Sequence, residues 1–111
     1  MEVQRLTDLE QLLLLSVVQA GEDAHAGAIK EILADRGERK ASLGSIYVTM
    51  TRLEERGMVE SSMGAPTAER GGKAKRLYQV TPHGMTALRH SRRILERMWE
   101  GVPALETGAG R

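Results

Sequence analysis

Cysteine is absent, which excludes a disulfide framework and any thiolate metal site. Phenylalanine is absent too, leaving one Trp and two Tyr as the aromatic residues. There is no long apolar run. The most apolar stretch, Leu12 to Val18 with Ser16 inside it, falls far short of the roughly 20 residues a membrane-spanning helix needs. Met1 to Gln4 shows neither the basic start nor the apolar core of a secretion signal, so a cytoplasmic protein is expected. With no cysteine in the chain and no paired carboxylate at helical spacing to them, His25, His83 and His90 do not make a metal or acid–base site. Gly71-Gly72-Lys73 superficially suggests a phosphate loop. However, Thr67 stands where that motif needs its first Gly, and Ala74 where it needs a magnesium-binding hydroxyl. No enzyme activity and no cofactor are expected.

What is present fits one small domain, 111 residues long, whose limited burial makes dimerisation a natural source of extra stability. The net charge of +1 conceals segregation. Residues 1–35 carry two basic against seven acidic groups; residues 36–93 carry twelve basic against five acidic. A charge run alone is often only a solvated face, but this one coincides with elements suited to nucleic acid.

Thr7-Asp8-Leu9-Glu10 is a capping box that starts a first helix, running through Leu12-Leu13-Leu14-Leu15 to about Ala20 and apolar most of the way round. Such a helix needs cover on two sides. A second helix is expected from Asp23 or Ala24 to just before Gly37. Ser42 caps a third, on which Leu43, Ile46, Met50 and Leu53 form one apolar stripe. The opposite face gathers Ser45, Thr49, Arg52 and Arg56, with Val48 at its edge, groups able to reach bases and phosphates. Tyr47 lies nearer the stripe, either packed with its hydroxyl at the rim or in contact with DNA.

Met58 to Met63 and Lys75 to Val80 read as two strands joined by a long Gly-rich tip, a wing bearing Arg70, Lys73, Lys75 and Arg76. Thr81-Pro82 then starts a fourth helix that ends near Glu100, before Gly101 and Pro103. Met85, Leu88, Leu95, Trp99 and Val102 recur at helical steps along it, with Arg92 at the one missing position and Met98 widening the stripe. With Leu12 and Leu13 of the first helix, these residues are the expected dimer interface. The fold class is thus mainly α with a small β-hairpin: a winged helix-turn-helix over residues 1–81, an added dimerisation helix over 82–103 and a flexible tail over 104–111.

Leu6-Thr7-Asp8-Leu9-Glu10, Ser42-x-Gly44-Ser45-Ile46-Tyr47 leading into Arg52-Leu53-Glu54-Glu55-Arg56-Gly57, and Leu77-Tyr78-x-x-Thr81-x-x-Gly84 resemble successive landmarks of the PadR family of bacterial transcription regulators. The order and spacing match over roughly residues 5 to 90. The resemblance implies a dimeric winged-helix repressor, with the C-terminal helix of one subunit packed on the N-terminal helix of the other. Two departures concern local packing. His25-Ala26-Gly27-Ala28 replaces the family's frequent aromatics around that glycine, and Val48 stands where Pro often follows the Ile-Tyr pair.

Two functions follow. The first is a sequence-specific DNA-binding repressor that acts as a homodimer on a palindromic operator, contacting DNA through Ser42, Ser45, Tyr47, Thr49, Arg52, Arg56 and the four wing cations. The second is a winged-helix module that binds protein; the basic wing favours the first. Trp99 is either an ordinary interface anchor or, with its symmetry mate, the wall of an apolar cleft for a flat lipophilic effector.

Overall fold

The computed structural model describes residues 4–64 and 74–102. Arg70, Lys73 and residues 104–111 lie outside them. Four helices and a hairpin follow in the order α1 (Asp8–Ala20), α2 (Ala26–Gly37), α3 (Leu43–Glu55), β1 (Val59–Met63), β2 (Arg76–Val80) and α4 (Pro82–Trp99). This is a winged helix-turn-helix with an added C-terminal helix. No helix among the described residues is long and apolar enough to cross a membrane.

Each helix starts where the sequence supplies an oxygen or nitrogen to accept from its free amides. The capping box of α1 is complete: Thr7 Oγ1 accepts from the Glu10 amide at 3.1 Å, and Glu10 Oε1 accepts from the Thr7 amide at 2.8 Å. Ser42 Oγ accepts from the Ser45 amide at 3.0 Å, and Thr81 Oγ1 from that of Gly84 at 3.0 Å. α2 begins later than the sequence suggests. A single 3-10 turn, Gly21–Asp23, comes first, and the cap is an imidazole, with His25 Nδ1 accepting from the Ala28 amide at 3.3 Å. Gly27 makes room for that ring, since a Cβ there would sit 3.0 Å from His25 Cε1. The helix also includes Gly37.

The turn after α3 explains the Gly57 landmark. The Met58 amide donates to the Leu53 carbonyl and the Gly57 amide to that of Glu54, the paired bonds of a Schellman ending, with Gly57 at φ +74° where side chains are disfavoured. Leu53 and Met58, which such an ending brings together, are both fully buried.

The core gathers Leu13, Leu14 and Val17 of α1, Ile29 and Leu33 of α2, Ile46, Met50 and Leu53 of α3, Met58, Val59 and Tyr78 of the hairpin region, and Ala87 and Leu88 of α4. Burying each large aliphatic side chain contributes about 1.5–3 kcal/mol. Leu43 departs from expectation. It is 44% exposed, because a side chain in the first turn tilts back toward the helix N-terminus, past the core's edge.

The strands are antiparallel, with Val59 opposite Val80, Ser61 opposite Tyr78 and Met63 opposite Arg76. Val59 at the base of β1 and Tyr78 in the middle of β2 are the buried strand residues, while Met63 and Arg76 at the tip are exposed, so the hairpin climbs out of the core. The Tyr78 amide also donates to the Ala24 carbonyl at 3.0 Å, tying the wing to the segment between α1 and α2. Thr81 then fixes α4: its hydroxyl donates to the Gly57 carbonyl and its amide to that of Met58, so the Thr81-x-x-Gly84 landmark is the junction where α4 meets the foot of the wing.

Beyond Ser91 no residue of α4 is buried. The radius of gyration, 16.7 Å, exceeds the about 13 Å expected of a compact chain this long. Leu95, Met98 and Trp99 are exposed, as are Leu15 and Val18 on α1.

Candidate nucleic-acid interface

α3 separates its two faces cleanly. Ile46, Met50 and Leu53 are fully buried, while Ser45, Tyr47, Val48 and Arg52 are exposed and Thr49 is half-buried. Arg52 makes no ion pair with a described residue. The hydroxyls are partly committed. Ser42 Oγ accepts the cap bond and keeps its proton to donate, whereas Thr49 Oγ1 spends its proton on the Ser45 carbonyl at 2.9 Å and keeps acceptor capacity. Ser42 suits a phosphate oxygen; Thr49 suits a base amino group. Tyr47 stands at the surface, and Val48 offers apolar contact of the kind that matches a thymine methyl.

Arg56 does not join that face. Its guanidinium turns to the chain's own N-terminal segment, with Nη1 donating to Glu10 Oε2 at 2.8 Å, Nε to Gln4 Oε1 at 2.8 Å and Nη2 to the Arg5 carbonyl at 3.1 Å. Helical spacing placed it with Ser45 and Arg52, but it is the capping residue, just past the last helical turn, where the chain bends and the side chain can reach back.

In the wing, Lys75 is half-buried and Arg76 exposed. Arg76 Nη1 donates to Ser61 Oγ at 2.9 Å, and that hydroxyl donates to the Glu54 carboxylate at 3.0 Å, so a polar relay runs from β2 across β1 to α3. Burial pushes the neighbouring Tyr78 phenol above its ordinary value of 10.0. Arg76 opposes the rise, and Tyr47 and Glu54 add to it. Tyr78 is a neutral packing group at the foot of the wing.

The turn before α3 carries a further exposed cation. Lys40 is exposed two residues before the Ser42 cap, and its signal was the basic block itself. Arg39 is engaged nearby with Asp8 at 3.6 Å.

Of the residues assigned to dimerisation, Leu95, Met98 and Trp99 are exposed, and Leu12, Met85 and Val102 are half-buried. Leu13 and Leu88 are buried in the chain's own core, at 0% and 6% exposure. Leu15 and Val18 are the large apolar residues that α1 leaves exposed. In a run of four leucines, composition gives no sign of which ones face inward. His83 is exposed and His90 half-buried; among the described residues no group of three or more His, Asp or Glu is arranged to hold a metal.

Comparison with known proteins agrees with this architecture. The model of the transcriptional regulator PadR-like family matches residues 14–90. The transcriptional regulator Rv3488 of Mycobacterium tuberculosis is 34% identical over 79 residues, covering 71% of this chain and 69% of that protein. The crystal structure of a PadR family transcriptional regulator from Eggerthella lenta superposes with a TM-score of 0.66 at 26% identity, over 88% of this chain and 83% of that one. A PadR-like regulator from Bacillus cereus shares the fold at a TM-score of 0.65 and 21% identity, over 93% and 91% of the two chains. With a winged helix, an added C-terminal helix and a family match spanning most of its length, the chain belongs to the PadR-like family of transcriptional regulators.

Proposed function

We propose that the protein is a sequence-specific DNA-binding repressor that acts as a homodimer on a palindromic operator. One observation carries this reading: the outer face of α3 presents Ser45, Val48 and Arg52 to solvent, with Thr49 half-buried among them, while Ile46, Met50 and Leu53 on its inner face are fully buried. A helix so mounted can enter a major groove without disturbing the core. Ser42 and Lys40 at its start, and Lys75 and Arg76 on the wing, flank it with groups for the phosphate backbone. Arg70 and Lys73, outside the described residues, belong to the same proposed set on sequence grounds. Tyr47 is assigned to the edge of the contact; Arg56 is not assigned to it.

Dimerisation is supported by the two uncovered apolar faces, Leu15 and Val18 on α1 and Leu95, Met98 and Trp99 on α4. Two-fold symmetry would place two copies of α3 in successive major grooves. Selection of bound sequences from a random duplex library, followed by footprinting, is expected to return a dyad whose half-sites lie about 10 bp or a multiple apart. No affinity for any duplex at low salt would instead favour a protein-binding module, and a footprint without a dyad would remove the dimer from the reading. The exposed Trp99 motivates the effector reading, in which a flat lipophilic ligand stacks between subunits and shifts the spacing of the two α3 helices.

A further inference from the structure

Arg56 sits at the foot of the proposed reading helix, yet its guanidinium serves a different segment. Its three bonds all go to residues at or before the first turn of α1: Gln4, Arg5 and Glu10. Glu10 divides its carboxylate between two tasks. Oε1 closes the α1 capping box on the Thr7 amide at 2.8 Å, and Oε2 holds Arg56 at 2.8 Å. The side chains are 14% exposed for Glu10 and 31% for Arg56, so salt screens the pair less than a surface ion pair, and removing one partner strands the other charge in a partly dry site.

We propose that Arg56 and Glu10 form a latch that sets the tilt of α3 against α1, making Arg56 a positioning residue for operator recognition and not a DNA contact. The proposal rests on the DNA-binding reading above and deepens it. α3 has 13 residues, a length of roughly 20 Å, so releasing one end and allowing a tilt of about 5° displaces the other by nearly 2 Å, enough to spoil a bidentate base contact. The other end of the latch is α1, which carries the exposed Leu15 and Val18. The pair is therefore a direct bond between the helix assigned to dimerisation and the helix assigned to reading. It also gives Leu6-Thr7-Asp8-Leu9-Glu10 and Arg52-Leu53-Glu54-Glu55-Arg56-Gly57 a shared purpose, since the last acid of one motif meets the last cation of the other.

The test turns on a sign. Gln at position 10 preserves the cap, because a capping box accepts Glu or Gln, but it removes the charge facing Arg56. General electrostatics predicts that losing an acidic group tightens DNA binding. The latch predicts the reverse. On the best duplex selected from the random library, Glu10→Gln is expected to weaken binding about tenfold, Arg56→Gln by a similar factor, and the double substitution by no more than either alone. The slope of log K against log salt should stay at the wild-type value in all three. Two results overturn the proposal: Glu10→Gln binding as tightly as wild type or more so, or Arg56→Gln lowering the slope by about one unit, the mark of a lost phosphate contact. Amide hydrogen exchange checks that the α1 and α2 cores stay protected; if Arg56→Gln does not fold, Glu10→Gln and Gln4→Ala carry the same comparison. A wild-type protein with no duplex affinity sinks the DNA reading and the latch together, whereas wild-type binding with an indifferent Glu10→Gln sinks the latch alone.

Discussion

Gly84 and Gly44 both lie in the first turns of helices, yet their surroundings demand opposite things of them. A Cβ at Gly84 would collide with the Met58 carbonyl oxygen and lie 2.8 Å from Val80 Cγ1, whereas one at Gly44 would meet only Ser42 Oγ, at 4.0 Å. The obstacle at Gly84 is backbone held by Thr81, so it cannot swing aside. Gly84→Ala is therefore expected to destabilise by about 2 kcal/mol, overriding the usual gain of Ala over Gly in a helix, while Gly44→Ala is expected to stabilise by roughly 0.5 kcal/mol. Denaturant unfolding of the two variants checks this; a loss of stability at both positions would mean that the close approach is not what Gly84 serves. The sequence marks Gly84 as a landmark but cannot say why, because its partner lies 26 residues earlier. Arg56 is the same kind of case, with a partner 46 residues away, and helical spacing alone misplaced it among the DNA-facing groups.

At the scale of elements, local rules carry further. The α1 capping box, the Ser42 and Thr81 caps, the α3 core stripe and both strands were readable because each depends on residues within a turn or on strict periodicity. Reading fails at α2, which waits for an imidazole cap from His25 where Ser, Thr, Asp or Asn is the usual signal, and at Leu43, which outruns the core. The same division of labour underlies a prediction for the reading face. Arg52, exposed on α3 and free of ion pairs to described residues, is assigned to bases; Arg76, on the wing, is assigned to phosphates. Arg52→Ala is expected to cost about 1–3 kcal/mol at selected operator positions and to change the ranking of sequences. Arg76→Ala is expected to weaken all sequences alike and to lower the salt slope by about one unit, or by less if the relay through Ser61 to Glu54 already neutralises part of its charge. An Arg52→Ala protein that weakens every sequence equally, with the ranking intact, would move the reading face elsewhere on α3.

For the whole molecule, the question is what covers the apolar surface that one chain leaves open. The last turns of α4 project from the core with Leu95, Met98 and Trp99 at 53%, 72% and 56% exposure, and α1 leaves Leu15 and Val18 uncovered. The sequence announced an α4 stripe and an over-apolar α1, but it could not separate core from surface within them, because Leu13 and Leu88 satisfy the same periodicities from inside the chain's own core. If a second copy supplies the cover, a charge in the stripe but outside the core should separate subunits without unfolding them. Leu95→Glu is expected to keep its helical circular dichroism yet sediment as a monomer at concentrations where the wild type is a dimer. The single Trp99 should then emit at longer wavelength, having lost its apolar surroundings. Operator affinity should fall sharply, because one α3 loses the second groove contact to which it was linked. Trp99→Ala serves as the companion variant. Dimer and DNA binding retained, with response to a flat lipophilic ligand lost, would place the effector between the subunits; dissociation into monomers would make Trp99 an anchor only. A Leu95→Glu protein that remains a dimer with unchanged Trp99 emission would show that the α4 face is not the interface, and would leave its exposed residues to another partner.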